Sequence, residues 1–275
     1  MSGGLDTRII LASLLKLELK PKCYTFGFSK NSEYLYSKKL TQIYNLKHKF
    51  IKLHKHEILK NLKYKFFISN GMYNHFINFF SKKKIKSNKH DITFHGHGLD
   101  YLFQGMYLPS HQIKILNKDT HLKFPFELKN QRNLLKYYYY KSTYKTRNFI
   151  FDKYFKKNEK EKIEKKIISN LKKDFKELNK IKINNDKWEY ILIKNLSRHY
   201  SHLDVISLSE YGNEKKIAYE NNLFDFYLSL KNSYRFDGRM VQNSLKIMNR
   251  KFADISSANH AMKITYSSKM LLIMS

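Results

Sequence analysis

Hydrophobic residues recur at helical intervals in three parts of the chain. Near its start the pattern predicts a helix with Asp6 as N-cap that ends at Pro21. Residues 34–80 carry one apolar stripe and a broad lysine-rich face, which is typical of a solvated helix surface or of a helix that faces RNA. Residues 151–182 give the clearest helix, with glutamates spaced among lysines for i,i+4 pairing.

Other parts of the chain show a different pattern. Residues 82–144 have little periodicity and contain Pro109 and Pro125, which indicates a loop-rich insertion. After residue 185 the segments "KWEYILIKNL", "SYRFDGRM" and "TYSSKMLLIMS" favour strands, whereas "KKIAYENNLFDFYLSLKN" favours a helix. This order predicts a compact C-terminal α/β unit.

The predicted fold class is therefore α+β. It consists of a compact, α/β-sandwich-like C-terminal domain and a basic N-terminal part that is mostly helical and loop-rich. The predicted regions are a basic helical region at 1–81, a loop-rich insertion at 82–152, a charged helix at 153–185 and the α/β domain at 186–275.

Charge is distributed unevenly over the 275 residues, whose net charge is +30. Residues 186–275 hold 13 Lys plus Arg against 9 Asp plus Glu, whereas residues 1–185 hold 40 against 14. So large a positive excess favours a polyanionic partner, with nucleic acid first and an anionic membrane surface second. Lysine, Asn, Ile, Tyr and Phe share A/T-rich codons, so part of the excess reflects base composition and suggests an organellar gene.

One stretch, "KYYYYKSTYKTR", interleaves tyrosines with cations. Aromatic rings stack on unpaired bases while cations meet phosphates, so this stretch is a candidate RNA contact. A half-buried strand with a cationic edge explains the same pattern. The candidate RNA-binding residues here are Lys136, Tyr138, Tyr140, Lys141, Lys145 and Arg147.

The sequence contains only weak motifs for catalysis or cofactor binding. No G-x-x-x-x-G-K-[ST], G-x-G-x-x-G or G-x-S-x-G motif is present, and the acidic residues are scattered. His95 and His97 have no evident third ligand, and Cys23 is expected to be buried filler. No apolar run reaches the roughly 20 residues of a membrane span, and the start of the chain lacks the features of a secretory signal. We therefore expect no enzyme activity, no cofactor, no metal and no membrane span.

The closing segment, with "FDGRM" followed by "ADISSANHAMKITYSSKMLLIMS", resembles the end of small-subunit ribosomal protein three. Asp237 to Met240 match a Ser-Gly-Arg-Leu element of that family, and Ala253, Asp254, Ile255 and Ala258 match an Ala-Asp-Ile element. Departures include Ser256 and Ser257 in place of Asp-Tyr, a shorter preceding segment, and no Gly-x-x-Gly loop of a KH domain.

This resemblance implies a structural rRNA-binding protein of the mitochondrial small ribosomal subunit. The family's place is in the head of the subunit, near the channel by which mRNA enters. Its implied partners are ribosomal RNA, neighbouring ribosomal proteins and mRNA. Gly238 would present Arg239 as a phosphate fork, although a solvated hairpin end explains the pair equally well. The further candidate RNA contacts are Arg235, Arg239, Arg250 and Lys251.

Two other classes of function stay open at this point. One is an intron-encoded maturase or endonuclease, which needs clustered acids for divalent metal. The other is a peripheral subunit of an organellar respiratory complex held by anionic lipid.

Overall fold

The structure is a computed structural model that describes most of the chain. The described residues are 1–54, 56, 63, 67, 85, 91–108, 111–115, 118–122, 134–135, 137–139, 154–194 and 213–256. By proximity of Cα atoms the chain divides into two compact units, Met1–Met106 with Arg198–Ser275, and Tyr107–Ser197.

The secondary structure mixes helices with short strands. The strands are β1 Cys23–Gly27, β2 His48–Lys52, β3 Ile92–His95, β4 His111–Ile115, β5 Lys118–Leu122 and β6 Asn213–Lys216. The helices are α1 Leu5–Lys16, α2 Ser32–Gln42, α3 Leu99–Phe103, α4 Lys157–Glu177, α5 Asn184–Leu192, α6 Asn221–Ser229, α7 Asn232–Arg235, α8 Arg239–Met248 and α9 Arg250–Ala253. Turns of 3₁₀ helix lie at Leu178–Lys180, Ile217–Tyr219 and Phe236–Gly238.

The first unit contains two parallel strand pairs. β1 pairs with β2 in a register that sets Cys23 beside His48, and α2 forms the crossover between them. β3 pairs with β6, with Ile92 beside Asn213. Parallel strands joined through a helix are the usual β-α-β arrangement, because the return path needs a long connection.

The core of this unit lies where α1 meets α2, β1 and the last two described helices. Its side chains are apolar and buried, and they come from both ends of the sequence: Leu11, Ala12, Cys23, Leu40, Leu245, Phe252 and Ala253. The expectation that Cys23 is buried is confirmed. The first 16 residues are thus held against residues near the end of the chain.

The second unit combines an antiparallel β4–β5 pair with α4 and α5. Trp188 on α5 is buried and donates from Nε1 to the carbonyl of Tyr107 at 3.1 Å. Tyr137 and Tyr138 pack on the same indole ring, with ring centroids 5.0 and 5.8 Å away. α4 itself buries no residue completely.

Several predicted elements need correction. Gly4, not Asp6, is the N-cap of α1. The single helical pattern predicted over 34–80 is wrong at His48–Lys52, which forms β2. The insertion predicted to be loop-rich contains β3, α3, β4 and β5. "KWEYILIKNL" and "SYRFDGRM", predicted as strands, are largely helical, and "TYSSKMLLIMS" lies outside the described residues.

Other predictions are confirmed. The charged helix is α4, and the helix predicted over 215–232 is present as α6 at Asn221–Ser229, after the end of β6 and a 3₁₀ turn. The mixture of helices and small sheets is compatible with an α+β class, although the described residues form no specific sandwich. Among the described residues, no helix has the length and apolar character needed to cross a membrane.

Candidate active site

The chain begins with a glycine-containing loop that leads directly into α1. Gly3 has a φ of +71°, and Gly4 has the extended conformation of a helix cap. A Cβ atom on Gly3 would lie 2.9 Å from Cβ of Tyr36 and 3.3 Å from the backbone nitrogen of Ser37. Both the left-handed conformation and the contact with α2 therefore require glycine at this position.

The hydroxyl groups around this loop hold its shape. The backbone N–H of Gly4 donates to Oγ of Ser2 at 3.3 Å, and Oγ1 of Thr7 donates to the carbonyl of Gly4 at 3.2 Å. Gly4 has no side chain with which to cap the helix. The first N–H groups of the 12-residue helix therefore have no side-chain cap at Gly4 and form the positively polarised end of the helix, a common setting for binding a phosphate or carboxylate.

A carboxylate stands beside this surface in the first turn of α1. The pKa of Asp6 is raised to about 7, chiefly by partial burial and also by the nearby negative charge of Asp100, while a hydrogen bond from Gln104 acts in the opposite direction. The negative charge of Asp100 disfavours the ionised form of Asp6, so a cation beside that carboxylate would be stabilising.

Asp100 lies in the first turn of α3, directly after a second glycine-containing loop, Gly96 to Gly98. This loop approaches α1 so closely that a Cβ atom on Gly96 would lie 2.5 Å from Cβ of Asp6. Within the described residues, Oδ1 of Asp100 is buried and has no hydrogen-bond partner. Such an oxygen is available to accept a hydrogen bond or to bind a cation.

Gln104 completes the arrangement just after α3. Its Nε2 donates to Oδ1 of Asp6, which leaves the other oxygen of that carboxylate available. The glycine turn before α8 supports Gln104 from behind, since a Cβ atom on Gly238 would lie 3.0 Å from Cγ of Gln104. The site thus combines an anion-binding helix terminus with two carboxylates, the groups required to hold a metal-complexed phosphate.

The described residues limit what kind of metal site this can be. No group of three His, Cys, Asp or Glu side chains comes together anywhere in the described part of the chain. Magnesium is commonly bound through one or two carboxylates, with the phosphates of a substrate and water supplying the remaining ligands. Asp6 and Asp100 fit a magnesium ion bound in this way, with most of its ligands supplied by the substrate and water.

The residues predicted to contact RNA are spread over both units. Arg239 and Lys251 are exposed, and Arg250 is exposed and pairs with Asp254 at 3.7 Å. Arg235 is buried, with its guanidinium 4.7 Å from the ring centroid of Tyr227. None of these residues is part of the arrangement around Asp6.

In the tyrosine-rich stretch, Tyr138 is buried and packs against Phe175 and Trp188. The remaining candidates lie outside the described residues: Lys136, Tyr140, Lys141, Lys145 and Arg147. As RNA contacts, these positions stay predictions.

The sequence did contain a signal for the site. "SGGLDT" places two glycines before a helical pattern, and "GHGLDYLF" places two more before an acidic residue and an apolar run. This shorter pattern is distinct from G-x-x-x-x-G-K-[ST] and G-x-G-x-x-G, neither of which occurs in the chain. Taken singly, Asp6 fits a helix cap and His97 an isolated histidine, so only the repetition of the pattern points to a site.

The family model for asparagine synthase matches residues 1–215, which include every residue of the arrangement around Asp6 except Gly238. No curated protein matches the chain. The match covers most of the 275 residues, and the chain therefore belongs to the asparagine synthase family.

This membership corrects the conclusions drawn from the closing segment. The resemblance to small-subunit ribosomal protein three is wrong, and so are the structural role in the ribosome and the expected partners, ribosomal RNA, ribosomal proteins and mRNA. The expectation of no enzyme activity is also wrong, because the family is one of enzymes. Neither alternative, the intron-encoded nucleic-acid enzyme or the respiratory-complex subunit, agrees with the family.

Proposed function

We propose that the chain is an ATP-dependent, amide-forming enzyme of the ATP-pyrophosphatase type. The observation that carries the proposal is the convergence of the Ser2–Gly4 loop, the start of α1 and the carboxylates of Asp6 and Asp100. Family membership supports the same chemistry, since asparagine synthesis converts a carboxylate into an amide. A carboxylate does not react with a nitrogen nucleophile until its oxygen is made a better leaving group.

The proposed reaction has two steps. An oxygen of the substrate carboxylate attacks the α-phosphorus of ATP, the bond from that phosphorus to the bridging oxygen breaks, and pyrophosphate leaves. A nitrogen nucleophile then attacks the acyl carbon of the resulting acyl adenylate, and AMP leaves with the electron pair of the acyl–oxygen bond. The nitrogen loses its excess proton to solvent or a base.

The residues of the chain have separate tasks in this scheme. The N–H groups at the start of α1 bind phosphate oxygens of ATP and then of the leaving pyrophosphate, where negative charge increases. Asp6 and Asp100 hold the magnesium ion of Mg-ATP, which neutralises phosphate charge when bound. Gln104 orients the Asp6 carboxylate through its amide hydrogen bond.

The test is carried out on the purified full chain. Exchange of labelled pyrophosphate into ATP should depend on Mg²⁺ and on a carboxylate substrate, with aspartate as the first to try. Binding of Mg-ATP should be measurable separately by titration calorimetry. A chain that binds no Mg-ATP and catalyses no exchange with aspartate or other amino acids contradicts the proposal.

Three predictions from the sequence stay predictions beside this proposal. The mitochondrial location depends on the A/T-rich composition alone. The four-part division into 1–81, 82–152, 153–185 and 186–275 depends on changes in composition. A sandwich-like arrangement of 186–275 depends on its pattern of short apolar segments.

A further inference from the structure

A fully buried arginine connects the proposed ATP site with a segment near the other end of the chain. Arg8 lies in the first half of α1 and exposes none of its surface. Its Nε and Nη2 donate to the carbonyl of Gly3 at 3.0 and 2.8 Å. Its other hydrogen bonds go to the carbonyls of Phe252 at 2.9 Å, Ile255 at 2.5 Å and Ser256 at 2.5 Å.

These bonds use all five N–H groups of the guanidinium. All the acceptors are neutral backbone carbonyls, and within the described residues no carboxylate pairs with Arg8. Burial lowers the pKa of Arg8 to about 10, so the group keeps its charge at neutral pH. An uncompensated positive charge thus lies beneath the loop at which phosphate is proposed to bind.

The bond to Gly3 determines where the loop points its N–H group. The peptide between Gly3 and Gly4 is planar and trans, so its carbonyl and its N–H point in opposite directions. Because Arg8 holds the Gly3 carbonyl on the buried side, the N–H of Gly4 is directed away from it, toward the side of Ser2 Oγ. Loss of the guanidinium would allow this peptide to rotate.

The other arm of the guanidinium holds the end of α9. The helix runs from Arg250 to Ala253, so the carbonyl of Phe252 is among those left without helical partners at its C-terminus, and the carbonyls of Ile255 and Ser256 lie just beyond the helix. Asn249 fixes the start of the same short helix, since its Oδ1 accepts from the N–H of Phe252 at 3.2 Å. Its Nδ2 donates to the hydroxyl of Tyr44 at 2.9 Å.

We propose that Arg8 is a positioning residue that couples ATP binding at the Ser2–Gly4 loop to the docking of residues 249–256. This inference depends on the proposed function. Phosphate binding fixes the Gly3–Gly4 peptide, which fixes Arg8 and thereby residues 249–256. Loosening of that segment in turn weakens ATP binding, because coupling between two sites is reciprocal.

The first experiment follows backbone amide hydrogen exchange in residues 250–256 with and without Mg-ATP. In the unaltered chain, Mg-ATP should slow exchange at the amides of Phe252, Ala253 and Asp254, which are bonded within this segment. Arg8→Lys keeps the positive charge but offers at most three donors from one atom, so the slowing should be lost. Retention of the slowing in Arg8→Lys contradicts the proposal.

A second pair of variants changes Asn249 and leaves Arg8 intact, so that the result does not depend on whether a variant of the buried arginine folds. Asn249→Ala removes the cap of α9, whereas Asn249→Ser retains a capping oxygen. Asn249→Ala should weaken Mg-ATP binding about 5- to 50-fold, within the usual range of coupling, and Asn249→Ser should weaken it much less. Arg250→Ala is the matched control, because the side chain of Arg250 is exposed and lies on the same turn.

The outcomes separate the two proposals. An unaltered chain that fails to bind Mg-ATP overturns the proposed function and this inference with it. An unaltered chain that binds Mg-ATP without any change in exchange at 250–256 overturns the inference alone. Equal Mg-ATP affinities of Asn249→Ala and Arg250→Ala also overturn the inference alone.

Discussion

The starts of α1 and α8 are built alike but differ in what surrounds them. Each helix follows a glycine with positive φ, +71° at Gly3 and +66° at Gly238. The first turn of α1 contains Asp6, whereas that of α8 contains no acidic residue. The arginine that follows is fully buried at Arg8 and exposed at Arg239.

This comparison teaches that a glycine before a helix does not by itself make a site. At α1 a second loop and the first turn of α3 bring Gly96 and Asp100 close to Asp6, so that two carboxyl groups lie near the start of the helix. At α8 the glycine instead packs against Gln104 and serves as support. A binding site requires that polar groups from separate segments meet, and only the tertiary structure shows that they do.

The largest expected effect on activity comes from replacing the two carboxylates near the start of α1, for which α8 has no counterpart. Asp6→Asn and Asp100→Asn should each lower Mg-ATP-dependent pyrophosphate exchange by about 100-fold or more, the usual cost of removing an electrostatic group from an active site. Steady-state exchange assays over a range of Mg²⁺ concentrations measure the effect. Asp225→Asn on α6 is the control, because Asp225 is exposed. An Asp6→Asn variant with normal exchange contradicts the assignment.

A substitution at each glycine compares the two loops directly. Gly3→Ala should weaken Mg-ATP binding by at least about 10-fold and destabilise the fold by about 1–3 kcal/mol. The alanine would have to adopt a positive φ, and its Cβ would press on α2. Gly238→Ala has the same strain, but its new Cβ meets the side chain of Gln104, which can shift. Calorimetric titration and urea unfolding of both variants should show the smaller effect on binding for Gly238→Ala.

The pH dependence of stability should reveal the burial of Asp6. The folded-state pKa of about 7 lies above the unfolded value of about 3.9, so the folded state binds more protons between these values. Stability should therefore be highest with Asp6 protonated and fall as pH rises from about 4 to 7. The contribution is at most about 1.4 kcal/mol per pH unit.

Urea unfolding of the unaltered chain and of Asp6→Asn at several pH values in that range isolates this contribution. The stability gained from the substitution should increase with pH, since asparagine cannot ionise. Added Mg²⁺ should reduce the difference by stabilising the ionised carboxylates. A gain that is constant with pH contradicts the assigned burial.

Local sequence patterns predicted some elements well and others poorly, for identifiable reasons. α4 was predictable because its apolar stripe and its i,i+4 charge pairs favour a helix without help from the rest of the chain. α5 was misread as a strand because "WEYILI" is rich in residues that favour strands. Its buried Trp188, Ile191 and Leu192 follow helical spacing, and tertiary burial decided the outcome.

The candidate site was less predictable than the fold. Asp6 and Asp100 are 94 positions apart in sequence, and no local pattern shows that their carboxylates meet. The closing segment, by contrast, supplied a contiguous but misleading resemblance. The net charge was also misleading as evidence for a nucleic-acid partner. Many lysines lie on exposed helix faces such as that of α4, where water solvates the charge without any partner.

The smallest expected effect is at Arg239, which the sequence predicted as an RNA contact. Its guanidinium lies 5.8 Å from the ring centroid of Phe236, an exposed contact that contributes about 0.5–1 kcal/mol. Its position at the N-terminus of α8 costs about 0.3–1 kcal/mol, because the helix dipole disfavours a cation there. These effects oppose each other, so Arg239→Ala should change the free energy of unfolding by no more than about 0.5 kcal/mol.

Mg-ATP affinity should also be unchanged in Arg239→Ala, in contrast to Arg8→Lys. Calorimetric titration measures the affinity and urea unfolding measures the stability, as for the glycine variants. A loss of affinity of 10-fold or more would place Arg239 in the ATP site and remove the distinction between the two helix starts. The exposed arginine would then act directly on the nucleotide, and α8 as well as α1 would contribute to the ATP site.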